Sequence, residues 1–80
     1  MVKMEKKLYE LISGILDIPV EDIHEDLSPD DIESWDSFNG ILMATELEST
    51  FDVKFSLEEI TSTTNVGDIK KNLRNHGIKI

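Results

Sequence analysis

Residues 33–55 read ESWDSFNGILMATELESTFDVKF, and the fold follows from how this stretch is parsed. From Ser37 to Phe51 there is no proline, and apolar side chains recur at helical intervals. The spacing predicts a helix from Ser37 to about Thr50, with Phe51 closing it. At about 100° per residue, Ile41, Met43, Ala44, Leu47 and Phe51 fall on a wide arc expected to face a core. Phe38, Leu42, Thr45 and Ser49 fall on a separate narrow face that starts beside Ser37. That face is either the second buried side of a central helix or a surface of its own. Gly40 sits inside the predicted helix at a cost of about 1 kcal/mol relative to alanine.

Upstream, Met4, Leu8, Leu11, Ile12 and Ile15 make one apolar stripe, so a first helix is expected from about Lys3 to Leu16. Asp17-Ile18-Pro19 should end it, because the residue before a proline is pushed out of helical geometry. A long acidic connection then runs from Val20 to Asp36, with Ile23, Leu27 and Ile32 spaced to pin it to the core. Connections of this length in small domains are uncommon and are often functional. Ser28-Pro29-Asp30-Asp31 reads as a single helical turn capped by Ser28.

Downstream, Ser56 and Glu59 form a capping-box pattern that opens a brief helix over Ser56–Ile60. Thr61–Thr64 reads as a polar turn, and Asn65 as the cap of a last helix. Val66, Ile69 and Leu73 give that helix its inward face. Lys70, Lys71 and Arg74 are expected in its final turns, where cations suit the helix dipole, and Gly77 is the expected stop. The fold class is therefore all-α: a small four-helix bundle of three longer helices and one short one, with a long acidic loop between the first two. One domain over residues 1–80 is the reading that length allows.

A chain of 80 residues buries only roughly 60% of its unfolded-state surface, enough for a modest core. Without cysteine it can have neither a disulfide nor a cysteine-based zinc site. No apolar run approaches the roughly 20 residues that span a bilayer, so no membrane role and a cytoplasmic location are expected. The net charge is −9, and no lysine or arginine occurs between Leu8 and Val53. Phosphate backbones would be repelled, which argues against nucleic acid, whereas a partner with a basic surface would be steered in. Solvation of a monomer explains the same acids as well.

Ser37 has three readings. As a nucleophile it would need a positioned base, yet His24 and His76 lack any flanking motif and no Gly-x-Ser-x-Gly elbow exists. Asp30, Asp31 and Glu33 sit in a solvated loop unsuited to acid–base work. No calcium-loop spacing or histidine cluster argues for a metal, so neither a catalytic nor a metal site is expected. As a cap, Ser37 would be ordinary. As an attachment point it would profit from the unpaired N–H groups and positive dipole of a first helical turn, with Asp36 as N-cap leaving the hydroxyl free. Local features leave cap and attachment point both open.

Asp36-Ser37-Phe38, the helix through Leu47-Glu48 and Phe51-Asp52 together resemble the attachment segment of the acyl carrier protein family, and the order of elements matches over nearly the whole chain. The resemblance implies that Ser37 carries 4′-phosphopantetheine, transferred from coenzyme A by a phosphopantetheinyl transferase, with Asp36 beside it. The chain would then be a shuttle for thioester-bound acyl groups and no enzyme. It would serve acyl-loading, condensing and transfer enzymes with basic docking surfaces. The family's partner surface carries over to Phe38, Leu42, Thr45, Glu46 and Glu48, and its acyl-sheltering interior to Met43, Ala44, Leu47 and Ile69. Phe38 stands where leucine is usual, Trp35 where a small residue is common, and Leu42 where many members place an acid. These departures suggest a dedicated fatty acid, polyketide or specialised-metabolite pathway. An aminoacyl or peptidyl carrier using the same serine, or a helical adaptor that is never modified, are the alternatives.

Overall fold

The structure, a computed structural model, describes residues 3–80; Met1 and Val2, part of the expected 1–80 domain, lie outside the described residues. Helix α1 spans Lys3–Leu16, α2 Ser37–Phe51, α3 Leu57–Ser62 and α4 Val66–Asn75, with a 3₁₀ turn at Val20–Asp22. The chain is all-helical among the described residues, with the long connection between α1 and α2 that the sequence predicts.

The core forms where the three longer helices turn their apolar stripes inward. Leu8, Ile12, Leu16, Val66 and Leu73 are essentially sealed from solvent, and Met43 and Leu47 of α2 close over them. Each such side chain contributes about 1.5–3 kcal/mol on leaving water. The connection is folded onto this core by Ile23, Leu27 and Trp35, all buried, with Ile32 packed at its margin. Polar bonds fix its path. The Ser34 hydroxyl donates to the Leu16 carbonyl at 2.8 Å, and the α4 N–H groups of Val66 and Gly67 donate to the Leu27 and Glu25 carbonyls at 3.0 and 2.8 Å. The first N–H groups of α4, which no helix can satisfy by itself, are thus used to anchor the loop.

Three helices end in the same way. Asp17, Asp52 and Gly77 adopt left-handed backbone conformations. In each case the next residue's N–H reaches back to a carbonyl: Ile18 to Ser13, Val53 to Glu48 and Ile78 to Leu73. This is the Schellman closure, which glycine makes without steric cost and which aspartate tolerates.

Several expectations need correction. Met4 is exposed, and Tyr9, absent from the predicted stripe, takes the buried place instead. Ile41 does not face the core: 63% of it meets solvent, because α2 buries only the narrower arc of Met43, Leu47 and Phe51. Phe38 is 74% exposed and Leu42 36%, so the narrow face is a surface and not a second buried side. The short helix begins at Leu57 and runs on to Ser62, absorbing Thr61 from the expected turn. Ser28–Asp31 is a single hydrogen-bonded turn in which the Asp31 carboxylate accepts from the Ser28 N–H and hydroxyl; Ser28 does not cap it.

Lys70 is the largest departure. It lies in the middle of α4 and only 2% exposed. Its ammonium contacts Glu5 of α1 at 2.8 Å and Glu25 of the connection at 3.5 Å, and stands 4.9 Å from the centre of the Tyr9 ring. Burial by itself would lower its pKa. The contacts with Glu5 and Tyr9 outweigh burial and push it up to about 12, so the side chain remains a cation.

Candidate functional site

The start of α2 is built by two residues of opposite purpose. Asp36 is the N-cap, and its carboxylate accepts the Asn39 N–H at 2.9 Å while its carbonyl accepts the Gly40 N–H at 2.8 Å. Ser37, the first helical residue, is exposed, and its hydroxyl makes no hydrogen bond to any described residue. Because Asp36 satisfies the third N–H of the turn, those of Ser37 and Phe38 are left open beside that hydroxyl. The Asn39 amide donates to the Ser34 carbonyl at 2.7 Å, which ties the helix start to the connection before it. This corner therefore offers a free hydroxyl flanked by unpaired donors at the positive end of a 15-residue helix. A phosphodiester on that oxygen fits both the open space and the local field. No lysine or arginine between Leu8 and Val53 supplements them.

A cavity of about 600 Å³ opens against this corner. Ser37, Asp36, Gly40, Pro29 and Trp35 border it on one side, and Met43, Ala44, Leu47 and Ile69 are among its walls, together with Ile60 and Phe55. From Ser37 to Leu47 is ten residues, or about 15 Å along α2. All four residues expected from sequence to wall an acyl site thus do line a cavity. Trp35, Ile41 and Gly40 join them, and no spacing rule singled out these three as lining residues. A β-carbon at Gly40 would come 3.8 Å from the Trp35 indole nitrogen, ordinary contact, so the glycine is not required by crowding.

The expected partner-facing residues separate into two groups. Phe38, Leu42, Thr45 and Glu46 are exposed along α2. The Thr45 hydroxyl donates to the Ile41 carbonyl at 3.1 Å, which turns its polarity back into the helix. Glu48 is different: its carboxylate accepts the Phe55 N–H at 2.8 Å and so holds the α2–α3 link. It acts inside the molecule, a role set by a contact seven residues away that no helical spacing predicts.

The other side of the cavity is formed by α3, the turn after it and α4. Helix α3 buries no residue fully. It is capped by the reciprocal Ser56–Glu59 box and held by polar contacts: the Asn72 amide donates to the Glu59 carbonyl at 3.4 Å and to the Thr63 hydroxyl at 3.0 Å. The Glu59 carboxylate meets the His76 ring at 3.0 Å, and that ring stands edge-on to Phe55. Hydrogen bonds from the Ser56 backbone and from His76 hold the Glu59 carboxyl below its usual range. His76, which no motif in the sequence marks, is exposed as a residue and is nonetheless the clasp of α3. His24 remains exposed. Among the described residues no cluster could hold a metal ion, and no helix is long and apolar enough to cross a membrane.

A family model described as the phosphopantetheine attachment site matches residues 6–73. No curated protein matches the chain. Among solved structures, that of a candidate acyl carrier protein, Rv0033, from Mycobacterium tuberculosis superposes with a TM-score of 0.82 at 26% sequence identity, covering 91% of this chain and 97% of that one.

Proposed function

Because the chain belongs to the phosphopantetheine attachment-site family, as an acyl carrier protein that takes a covalent 4′-phosphopantetheine group, we propose that Ser37 is the residue that bears it. The observation that carries this reading is the Ser37 hydroxyl itself: exposed, unpaired, beside two open N–H groups and at the border of the cavity. Asp36 serves it by capping the turn, which keeps the serine from folding back as a cap of its own. The bound arm supplies a thiol for thioester chemistry; the chain's own residues orient its root and shelter what it carries.

Acyl groups are delivered to partner enzymes across the exposed face of α2. Phe38, Leu42, Thr45 and Glu46 form that face, which has a larger apolar share than a purely electrostatic dock would need. Such a face suits partners with a basic rim around an apolar centre. The pathway on this reading is a dedicated one, fatty acid, polyketide or specialised metabolite, and not bulk fatty acid synthesis. Equal transfer to the condensing enzymes of ordinary fatty acid synthesis would argue against that assignment.

The attachment is tested by incubating the protein with coenzyme A and a broad-specificity phosphopantetheinyl transferase and measuring the intact mass. The wild type gains one phosphopantetheine, and Ser37→Ala gains none. A wild type that stays unmodified while keeping its fold would point instead to a helical adaptor. Gain followed by efficient loading only from amino-acid adenylating enzymes would make it an aminoacyl carrier.

A further inference from the structure

The cavity has two kinds of lining. Most of it is aliphatic, but the side formed by α3 and α4 carries three hydrogen-bonding side chains, Thr61, Thr63 and Asn72. Their protons are already committed. Thr61 donates to the Leu57 carbonyl at 3.0 Å, with Glu58 at 3.3 Å, in the back-bonding usual for a helical threonine. Thr63 donates to the Glu59 carbonyl at 2.8 Å. Asn72 uses both amide hydrogens, one on the Thr63 oxygen and one on the Glu59 carbonyl. That carbonyl can only accept, which fixes which end of the Asn72 amide is nitrogen. What these three residues have left to offer is oxygen lone pairs: two hydroxyl oxygens and the Asn72 carbonyl, none of which accepts from a residue on the far side of the cavity.

We propose that the cargo of this carrier is an acyl chain bearing a neutral hydrogen-bond donor, a hydroxyacyl group, which the Thr61–Thr63–Asn72 wall recognises. The inference rests on the attachment of the arm at Ser37. An acceptor-only wall complements an O–H. It repels a keto oxygen, and it gains nothing from a saturated chain, which would strip water from these oxygens without replacing its bonds. An ammonium is disfavoured at this wall because the Glu59 carboxylate of α3 is already engaged by His76 and Ser56, and Asp36, the one carboxylate bordering the cavity, lies on its opposite side beside Ser37. The α3 part of this wall buries no side chain fully, and beyond Ile60 at the core's margin it is held by these few polar contacts, to which a bound donor would add one more.

The test loads the Ser37-attached arm with octanoyl, 3-hydroxyoctanoyl or 7-hydroxyoctanoyl groups. Hydrolysis of each thioester at mildly alkaline pH is followed by intact mass and divided by the rate of the same thioester on free pantetheine. At least one hydroxylated chain should be protected about three- to ten-fold better than octanoyl, the factor that one net hydrogen bond supplies. Asn72→Leu and Thr61→Val should bring that ratio to about one while leaving octanoyl protected. Thr61 is exposed, so its variant keeps the comparison readable if loss of Asn72 loosens α3. Equal protection of all three chains in the wild type, as would follow if the arm alone occupied the wall, overturns the proposal, and so does better protection of octanoyl. Absence of any mass gain at Ser37 overturns the attachment itself, and is seen before any cargo is compared.

Discussion

Helices α3 and α4 are neighbours in sequence and are held in opposite ways. Helix α4 places Val66, Ile69, Lys70 and Leu73 in the interior. Helix α3 buries no residue fully: Ile60 alone packs at the core's margin, and the helix otherwise rests on a capping box, the Asn72 amide and the His76–Glu59 contact. Apolar burial is cooperative and hard to undo locally, whereas a few half-solvated polar contacts open at little cost. The molecule thus has a tightly packed side, where α4 locks to α1 and the connection, and a more weakly held side, α3, over the cavity beside Ser37.

The contrast can be broken from the fixed side first. Leu73→Ala removes a fully buried side chain and should lower stability by about 2–5 kcal/mol in chemical denaturation. In a domain this small that approaches the whole margin. Next in size is the ion pair. Glu5→Gln leaves the buried Lys70 cation with Glu25, 62% exposed and 3.5 Å away, as its one carboxylate partner beside the Tyr9 ring, and should cost about 3 kcal/mol. Lys70→Met should cost clearly less, because it keeps the buried stem and leaves behind carboxylates that water can reach. If Lys70→Met proved the more damaging of the two, the pair would owe its worth to attraction and not to the cost of an orphaned buried charge.

The same pair sets an alkaline limit. The Lys70 pKa is raised from 10.5 to about 12 in the folded state, so its contribution is complete below pH 10.5 and is lost as pH rises through 12. Melting temperature should fall over that window, and Lys70→Met should flatten the fall. The smaller effects belong to α3. Ser56→Ala removes one half of its capping box and should cost about 1 kcal/mol, read best as faster hydrogen exchange in residues 57–62 with α4 amides unchanged. Glu59, whose pKa is lowered, supports α3 above the ordinary carboxylate range and releases it as pH falls through the folded value. Exchange in α3 should therefore accelerate on acidification before the global transition. Uniform acceleration across α3 and α4 would mean the two helices form one cooperative unit and the contrast is false.

The sequence was legible wherever a rule is local. Helical periodicity located α1, α2 and α4. The pre-proline break and Gly77 located the ends of α1 and α4, and Asp36, Ser56 and Asn65 declared themselves as caps. Ser37 could be placed in a first helical turn because cap chemistry acts within four residues, although local features left cap and attachment point both open and only the family resemblance chose between them. Side chains whose fate depends on a distant segment were misread. Lys70 looks like a dipole-compensating surface cation until α1 supplies Glu5, sixty-five residues away. Ile41 looks buried until the packing of α2 shows that its inward arc is narrower than its apolar one. His76 and Glu48 look free until α3 and its preceding link fold against them.

By itself, then, the sequence determined four helices, a long pinned connection and a serine at a polarised helix start, because hydrogen-bond geometry and side-chain period are properties of adjacent residues. Only the tertiary structure decided that a cavity lies beside that serine, that its α3–α4 wall presents oxygen lone pairs, and that a buried lysine ties three segments together. Those features are spaces and contacts between elements, and no residue carries them until its neighbours arrive.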